Sequence, residues 1–163
     1  MPHVVTGKGW QSAEYNVWDY DQRPWGFWLV TDTRDTKDSA YCEKIIIVAP
    51  GKILSLQSHK LRHETWTVLD GTLTAVIDGS YLMLKTGQKI EVPADCPHCM
   101  ANLNDTPCVV KERQTGICLE SDIVRYMDAY GRLTTDTNDR IKSSADLYLA
   151  ILEQMQGKQQ KYA

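Results

Sequence analysis

Several features that would place this chain at once are missing from it. No apolar run is long enough to cross a bilayer: the longest, Ile45 to Pro50, falls far short of the roughly 20 residues a spanning helix needs. There is no excess of positive charge. Lys and Arg number 18 against 21 Asp and Glu, a net charge of -3, so nothing here is an electrostatic footprint for nucleic acid. The opening residues, MPHVVTGKGW, lack the charged-then-apolar grading of a secretory signal, which makes the cytoplasm the expected address. A paired disulfide framework is missing too, since five cysteines without an export signal read as reduced thiols. Internal repeats and low-complexity tracts are absent. What remains is an ordinary composition, 42% hydrophobic and 24% charged, in 163 residues. That length predicts one domain over 1–163 with a real core.

Glycine, proline and aspartate punctuate the rest. Residues 1–22 carry Trp10, Tyr15 and Trp18 with little periodicity and read as an irregular N-terminal arm. Arg23-Pro24-Trp25-Gly26 is a compact turn, followed by a short strand from Gly26 to Val30 and a polar surface loop from Thr31 to Ala40. Strand-like runs then recur at Lys44 to Ala49, Ile53 to Gln57, Glu64 to Leu69, Thr72 to Ile77, Tyr81 to Lys85, Lys89 to Val92, Met100 to Leu103 and Cys108 to Arg113. Asp70-Gly71 and Asp78-Gly79 are hairpin signals between such runs. Strands of about five residues at spacings of about 8 to 12 predict an all-β sandwich or barrel over 23–116. Beyond Ile117 the pattern predicts a helical extension over 117–163. Asp122 to Ala129 reads as a short helix. Ser143 to Met155 reads as a longer one, with a capping box at Ser143 and Asp146, an apolar face of Leu147, Ala150, Ile151 and Met155, and a stop at Gly157.

Two stretches carry chemistry. Gly51 to Gly71 (GKILSLQSHKLRHETWTVLDG) contains Gln57, His59 and Glu64. Positions i and i+2 of a strand share a face, so Gln57 and His59 project together, and Glu64 opens the next strand after a tight connection. Gly87 to Asn102 (GQKIEVPADCPHCMAN) adds His98, which a small jelly roll would bring opposite the first three. Two imidazoles, a carboxylate and an amide make a borderline-to-hard site for one divalent metal ion, Zn first, with Mn, Co, Ni, Fe or Mg as alternatives. The bland counterpart is a metal-free barrel whose polar groups satisfy one another. His63 should point away from this face. Cys96-Pro97-His98-Cys99 is a rival: its C-x-x-C spacing resembles a thiol oxidase site, but that chemistry needs a strand-to-helix turn, and a strand follows here. A zinc site from Cys96, Cys99, Cys108 and Cys118 fits no finger or ribbon spacing.

The two stretches have the spacing and order of the signature motifs of the cupin superfamily, with Gln57 where the first His usually stands and Asp95 where Gly is common. A finer resemblance runs over about residues 23 to 132. Arg23-Pro24-Trp25-Gly26, Lys44, Pro50-Gly51, Leu54-Ser55-Leu56-Gln57, His59, Arg62, Glu64, Trp66, Val68 and Gly71-Thr72 resemble the pattern of the type II phosphomannose isomerases. Pro93, His98, Asn102, Glu112, Gln114, Gly116, Asp122-Ile123-Val124-Arg125 and Asp128-Ala129-Tyr130-Gly131-Arg132 continue it. Departures are the thinned acidic run Glu120-Ser121-Asp122, and Lys111 and Arg113 at apolar positions of the family.

The resemblance implies an all-β cupin jelly-roll barrel with a short C-terminal helical extension. It also implies a metal-dependent interconversion of mannose 6-phosphate and fructose 6-phosphate through a cis-enediol. In that family the cupin often forms the C-terminal half of a bifunctional enzyme whose first half makes GDP-mannose. No glycine-rich nucleotidyltransferase region precedes it here, so guanylyl transfer is not expected. Lys44 and Glu112 match family positions and are the two candidates for the general base. For the phosphate, the planar forks of Arg125 and Arg132 come first, with Lys60, Arg62 and Arg23 in reserve. Trp66 is expected to pack the barrel, and Arg132 has the alternative of capping the short helix. Two other classes stay open, a non-catalytic sugar- or sugar-phosphate-binding module and a metal-dependent cupin dioxygenase. Expected partners are a small-molecule sugar phosphate and a second copy in a homodimer, with no nucleic acid and no membrane.

Overall fold

The computed structural model describes residues 15–36, 39–119, 121–129 and 139–162. Among these residues the chain forms β1 (Tyr20–Arg23), β2 (Gly26–Thr36), β3 (Ser39–Val48), β4 (Lys52–Ile53), β5 (Leu56–Ser58) and β6 (Arg62–Asp70). Then come β7 (Thr72–Ile77), β8 (Ser80–Lys85), β9 (Lys89–Val92), β10 (His98–Asn102), β11 (Cys108–Gly116), β12 (Val124–Met127) and α1 (Asp139–Tyr162). One sheet runs β1-β2-β3-β11-β6-β9 and the other β12-β5-β10-β7-β8, with β4 also paired to β10. No helix among the described residues is long and apolar enough to cross a membrane.

Side-chain alternation decides which face of each strand is inside. Along β3, β6 and β11 every second residue is buried. Ile46, Val48, Trp66, Val68 and Val110 from these strands pack on Leu73, Ala75, Ile77, Leu84 and Met100 of the facing sheet. β10 breaks the alternation, for all its residues are buried. Its outer face is covered by α1, whose Tyr148, Ile151 and Met155 pack on Ile53, Leu56, Val76, Cys99 and Ala101. Each such side chain contributes roughly 1.5–3 kcal/mol by leaving water. The strand carrying His98 is thus clamped between two apolar layers. On the opposite sheet, Gly26 lets β2 close on β3: at φ +148 a Cβ there would lie 1.9 Å from the Ile47 carbonyl oxygen.

Five expectations need correction. The arm over residues 1–22 contains β1, and its first 14 residues lie outside the described ones. Thr31 to Ala40 is no loop: β2 runs on to Thr36 and β3 begins at Ser39. There side-chain pairing replaces core burial, with the Tyr41 hydroxyl on Asp32 at 2.8 Å and Arg113 stacked 3.9 Å above the Tyr41 ring. Asp70-Gly71 makes no hairpin, because β6 and β7 belong to different sheets; Asp78-Gly79 does, joining β7 to β8. Asp122 to Ala129 holds a strand rather than a helix: β-branched Ile123 and Val124 lead into β12, which pairs with β5. The last helix begins at Asp139 and passes through Gly157. Ser143 therefore lies inside it, its hydroxyl on the Arg140 carbonyl.

Candidate active site

The register of the two sheets brings the polar residues together. In one sheet His98 lies opposite Gln57, and Gln57 opposite Arg125. In the other, Lys44 lies opposite Glu112 and Glu112 opposite Trp66, while Gln114 lies opposite Glu64. Directly opposed residues share a face, so these side chains point inward, where Lys44, Glu64, His98, Glu112 and Gln114 are all buried. A cavity of about 200 Å³ opens among them, lined by Arg23, Lys44, Gln57, Arg62, Glu64, Glu112, Gln114 and Arg125, with Tyr15, Trp25 and Trp28 as its aromatic wall.

Glu64, which lines this cavity, lies within a group in which His59, Glu64 and His98 bring one ligand atom each within 4.8 Å of one another. His59 Nε2 is 3.3 Å from Glu64 Oε1 and His98 Nε2 is 3.8 Å from Glu64 Oε2. The Nδ1 atoms face backbone carbonyls, His59 that of Asp122 at 2.6 Å and His98 that of Cys96 at 2.9 Å. A carbonyl only accepts, so Nδ1 carries the hydrogen in both rings and both Nε2 lone pairs face Glu64. Burial, and for His59 the charge of Arg62 as well, depresses both imidazoles, His59 to about 4, and keeps them neutral at pH 7. Burial alone would raise the Glu64 carboxyl. The charges that His98, Arg62 and His59 carry at acid pH more than offset that, helped by the Trp66 indole N–H at 2.8 Å, and hold it at about 2.

Two neutral imidazoles and an ionised carboxylate, with each Nδ1–H anchored behind, are what a divalent ion requires. His98 Nε2 is buried without a hydrogen-bond partner, an orphaned acceptor of the kind a metal satisfies. The residues fit. Gln57 adjoins the group, its Nε2 3.4 Å from His59 Nε2 while its Oε1 accepts from Ser55 Oγ at 2.8 Å. Exchanging amide O and N turns the carbonyl oxygen inward as a fourth donor.

Of the predicted residues, Arg23, Lys44, Gln57, Arg62, Glu64, Glu112 and Arg125 share one cavity. Arg62 is turned onto Glu64 and His59, at 3.3 and 3.1 Å, rather than held out for a phosphate. Lys60 is exposed and does not line the cavity, and Arg132 lies outside the described residues. His63 faces outward and pairs with Glu91. The thiol alternatives fail on placement. Cys96 and Cys99 belong to separate apolar clusters, and burial pushes their thiols up to about 11 and about 12, away from reactive thiolates.

Three supports escaped sequence reasoning. Trp66 and Gln114 each sit two residues beyond the carboxylate they bond, Trp66 on Glu64 and Gln114 on Glu112. Period two was the available signal. Asp122 was masked by its helical reading. Its carboxylate accepts from the Lys60 and Leu61 backbone N–H groups, both at 2.9 Å, and so clamps the turn after His59. Asp122→Ala should weaken divalent-metal affinity about tenfold by calorimetric titration, as loss of ligand support does elsewhere. Affinity within twofold of wild type would mean that the turn holds itself.

A family model described as "Mannose-6-phosphate isomerase C-terminal" matches residues 11–128. A mannose-1-phosphate guanylyltransferase of Escherichia coli (strain K12) is 38% identical over 121 residues, covering 74% of this chain and 24% of that one. The alginate biosynthesis protein AlgA of Pseudomonas putida is 36% identical, covering 69% and 23%. The chain thus spans about a quarter of the length of the relatives it matches. Among solved structures, KdgF from a Halomonas species superposes with a TM-score of 0.54 at 14% identity, covering 60% of this chain and 87% of that one. The cupin domain of Schizosaccharomyces pombe Cnp3 superposes at 0.51 with 10% identity, covering 60% and 68%. Two facing antiparallel sheets, the inward His-Glu-His group and the family match over most of its length agree: the chain is a cupin and belongs to the mannose-6-phosphate isomerase C-terminal family.

Proposed function

We propose that this cupin interconverts mannose 6-phosphate and fructose 6-phosphate with one divalent metal ion held by Gln57, His59, Glu64 and His98. The observation that carries the reading is a His59-Glu64-His98 group whose Glu64 lines, with Gln57, the same cavity as a buried Lys44–Glu112 pair and two arginines, Arg23 and Arg125. The cavity's size, about 200 Å³ against the roughly 300–1,000 Å³ of drug-sized pockets, suits a single hexose phosphate better than a nucleotide sugar.

Isomerisation removes the proton from C2 of the open-chain aldose, protonates O1, and leaves a cis-enediol. The O2 proton then leaves and C1 takes a proton, which gives the ketose. The metal would supply Lewis acidity at the carbonyl and hydroxyl oxygens. The protein's own residues do the rest. Glu112 and Lys44 are the groups placed to carry the carbon-bound proton. Gln114 donates a hydrogen bond to the Glu112 carboxyl and orients it. Burial first, and the Glu64 charge next, raise that carboxyl to about 8, near a working pH where proton exchange is efficient. Arg125 and Arg23 are the phosphate anchors. Relatives named for mannose-1-phosphate guanylyl transfer and for alginate and xanthan biosynthesis support a place in GDP-mannose supply. The expected form is a cytoplasmic homodimer.

The test is a coupled assay on mannose 6-phosphate after chelation, with Zn, Mn, Co, Ni, Fe or Mg restored singly. Turnover in the common enzyme range of about 1–10³ per second should return with at least one metal. Silence with all of them, alongside retained sugar-phosphate binding, would make the protein a binding module.

A further inference from the structure

We propose that Tyr15 and Trp28 form an aromatic cage that fixes Lys44 as a standing cation beside the cavity, so that Lys44 stabilises developing charge and Glu112 carries the proton. The division of labour rests on the isomerase reading; the cage does not. Lys44 Nζ lies 3.6 Å from the centroid of the Tyr15 ring and 4.9 Å from that of Trp28. The two rings meet edge to face at 5.7 Å and 79°. A cation within about 6 Å of a ring face is attracted by the ring quadrupole, and the attraction grows when water is excluded. Here two rings act at once on a side chain only 6% exposed. Deprotonation would forfeit both contacts. A general base must be the neutral amine before it takes a proton. The cage holds Lys44 in the opposite state.

Tyr15 precedes every strand among the described residues, yet it is buried and lines the cavity. A short staple puts it there. The Trp18 N–H donates to the Val30 carbonyl at 2.8 Å, and the Val30 N–H donates to that of Asp19 at 2.8 Å. The Asn16 N–H meets the Asp19 carboxylate at 2.7 Å, and Trp18 takes a φ of 77 to complete the reversal. Such left-handed backbone in a bulky residue costs energy and persists where its surroundings enforce it. The staple therefore delivers one aromatic ring to one lysine. Tyr15 and Trp28 are positioning residues, and the segment before β1 is part of the site rather than packing alone.

Two arms test this on the full chain. In the first, the metal-free protein is treated with acetic anhydride and modification is located by mass spectrometry. Lys44 should react slowly beside exposed Lys60. Tyr15→Leu or Trp28→Leu should speed it at least about fivefold, while Tyr15→Phe, which keeps a ring face, should protect it. Unchanged Lys44 reactivity in both leucine variants would overturn the cage. In the second arm, Tyr15→Leu should lower kcat about tenfold with KM little changed and move the basic limb of the pH profile about one unit lower. Tyr15→Phe should recover most of that loss. Lys44→Arg, which carries charge but cannot serve as a base, should keep about a tenth of kcat where Lys44→Met loses about a hundredfold. Equal loss in both, with folded protein by circular dichroism, would make Lys44 the base and overturn the division of labour. If the wild-type protein turns over no mannose 6-phosphate with any metal, the isomerase reading fails and acetylation alone decides the cage.

Discussion

Glu64→Gln should weaken divalent-metal binding at least about 100-fold, abolish turnover with it, and cost about 3 kcal/mol of folding stability. The side chain keeps its shape, so the effect is one of charge and hydrogen-bond sense. Glu64 accepts from Arg62 Nε at 3.3 Å and from the Trp66 indole at 2.8 Å, and faces His59 Nε2 at 3.3 Å. An amide satisfies one donor and presents an N–H₂ to the other. It also leaves the Arg62 guanidinium, 8% exposed, without its carboxylate. Removing one partner of a buried pair strands the other charge, and that dominates the stability loss. The pH dependence follows in sign. Glu64 is held at about 2, below its ordinary 4.5, so its contribution is complete above about 4.5 and is lost as pH falls toward 2. The variant should lack that part of the acid sensitivity. Urea denaturation of the metal-free proteins across this window measures it, and calorimetric titration measures the metal. Adding Arg62→Met should restore stability without restoring metal. Wild-type metal affinity in Glu64→Gln would remove Glu64 from the ligand set.

What the sequence shows of this molecule depends on how local the cause is. Strand cores such as Glu64–Leu69 and Cys108–Arg113 were legible because burial alternation and β-branched runs are written residue by residue. The closeness of Gln57, His59 and His98 was legible because the i and i+2 rule fixes Gln57 beside His59, and the motif order fixes where His98 returns. Asp95, standing where a glycine is common, adopts the left-handed φ of 62 that a glycine would take, and its N–H still closes on the His59 carbonyl at 2.7 Å. Misreadings arose where the deciding partner is distant in sequence. Asp122 looks like a helix start until Lys60 and Leu61 are seen to need its carboxylate. Asp70-Gly71 looks like a hairpin until β7 leaves for the other sheet, where a Cβ on Gly71 would lie 2.9 Å from the Pro107 carbonyl oxygen. Tyr15 shows no periodicity at all. Its place is set by a hydrogen-bonded reversal and by a lysine on a strand well downstream.

Glu112→Gln should leave metal affinity near that of wild type and reduce turnover by about 10³-fold, within the range general acid–base groups contribute. The amide preserves the acceptor for Gln114, so the buried contact survives and the loss reports on the proton. Stability should move the other way from the Glu64 case. Burial and the Glu64 charge raise the Glu112 carboxyl from 4.5 to about 8, against the pull of Lys44 and Arg62. Between those values the folded protein holds a proton that the unfolded chain has released, so stability falls as pH rises through the window and levels off above about 8. The metal-free variant escapes that loss. Its melting temperature should match wild type near pH 4.5 and exceed it by several degrees at about pH 9. A residue that lowers stability at alkaline pH, yet cannot be neutralised without losing turnover, is held for its chemistry. If the variant instead keeps more than about a tenth of wild-type kcat, that loss is below the usual contribution of a general base, and the proton passes to Lys44.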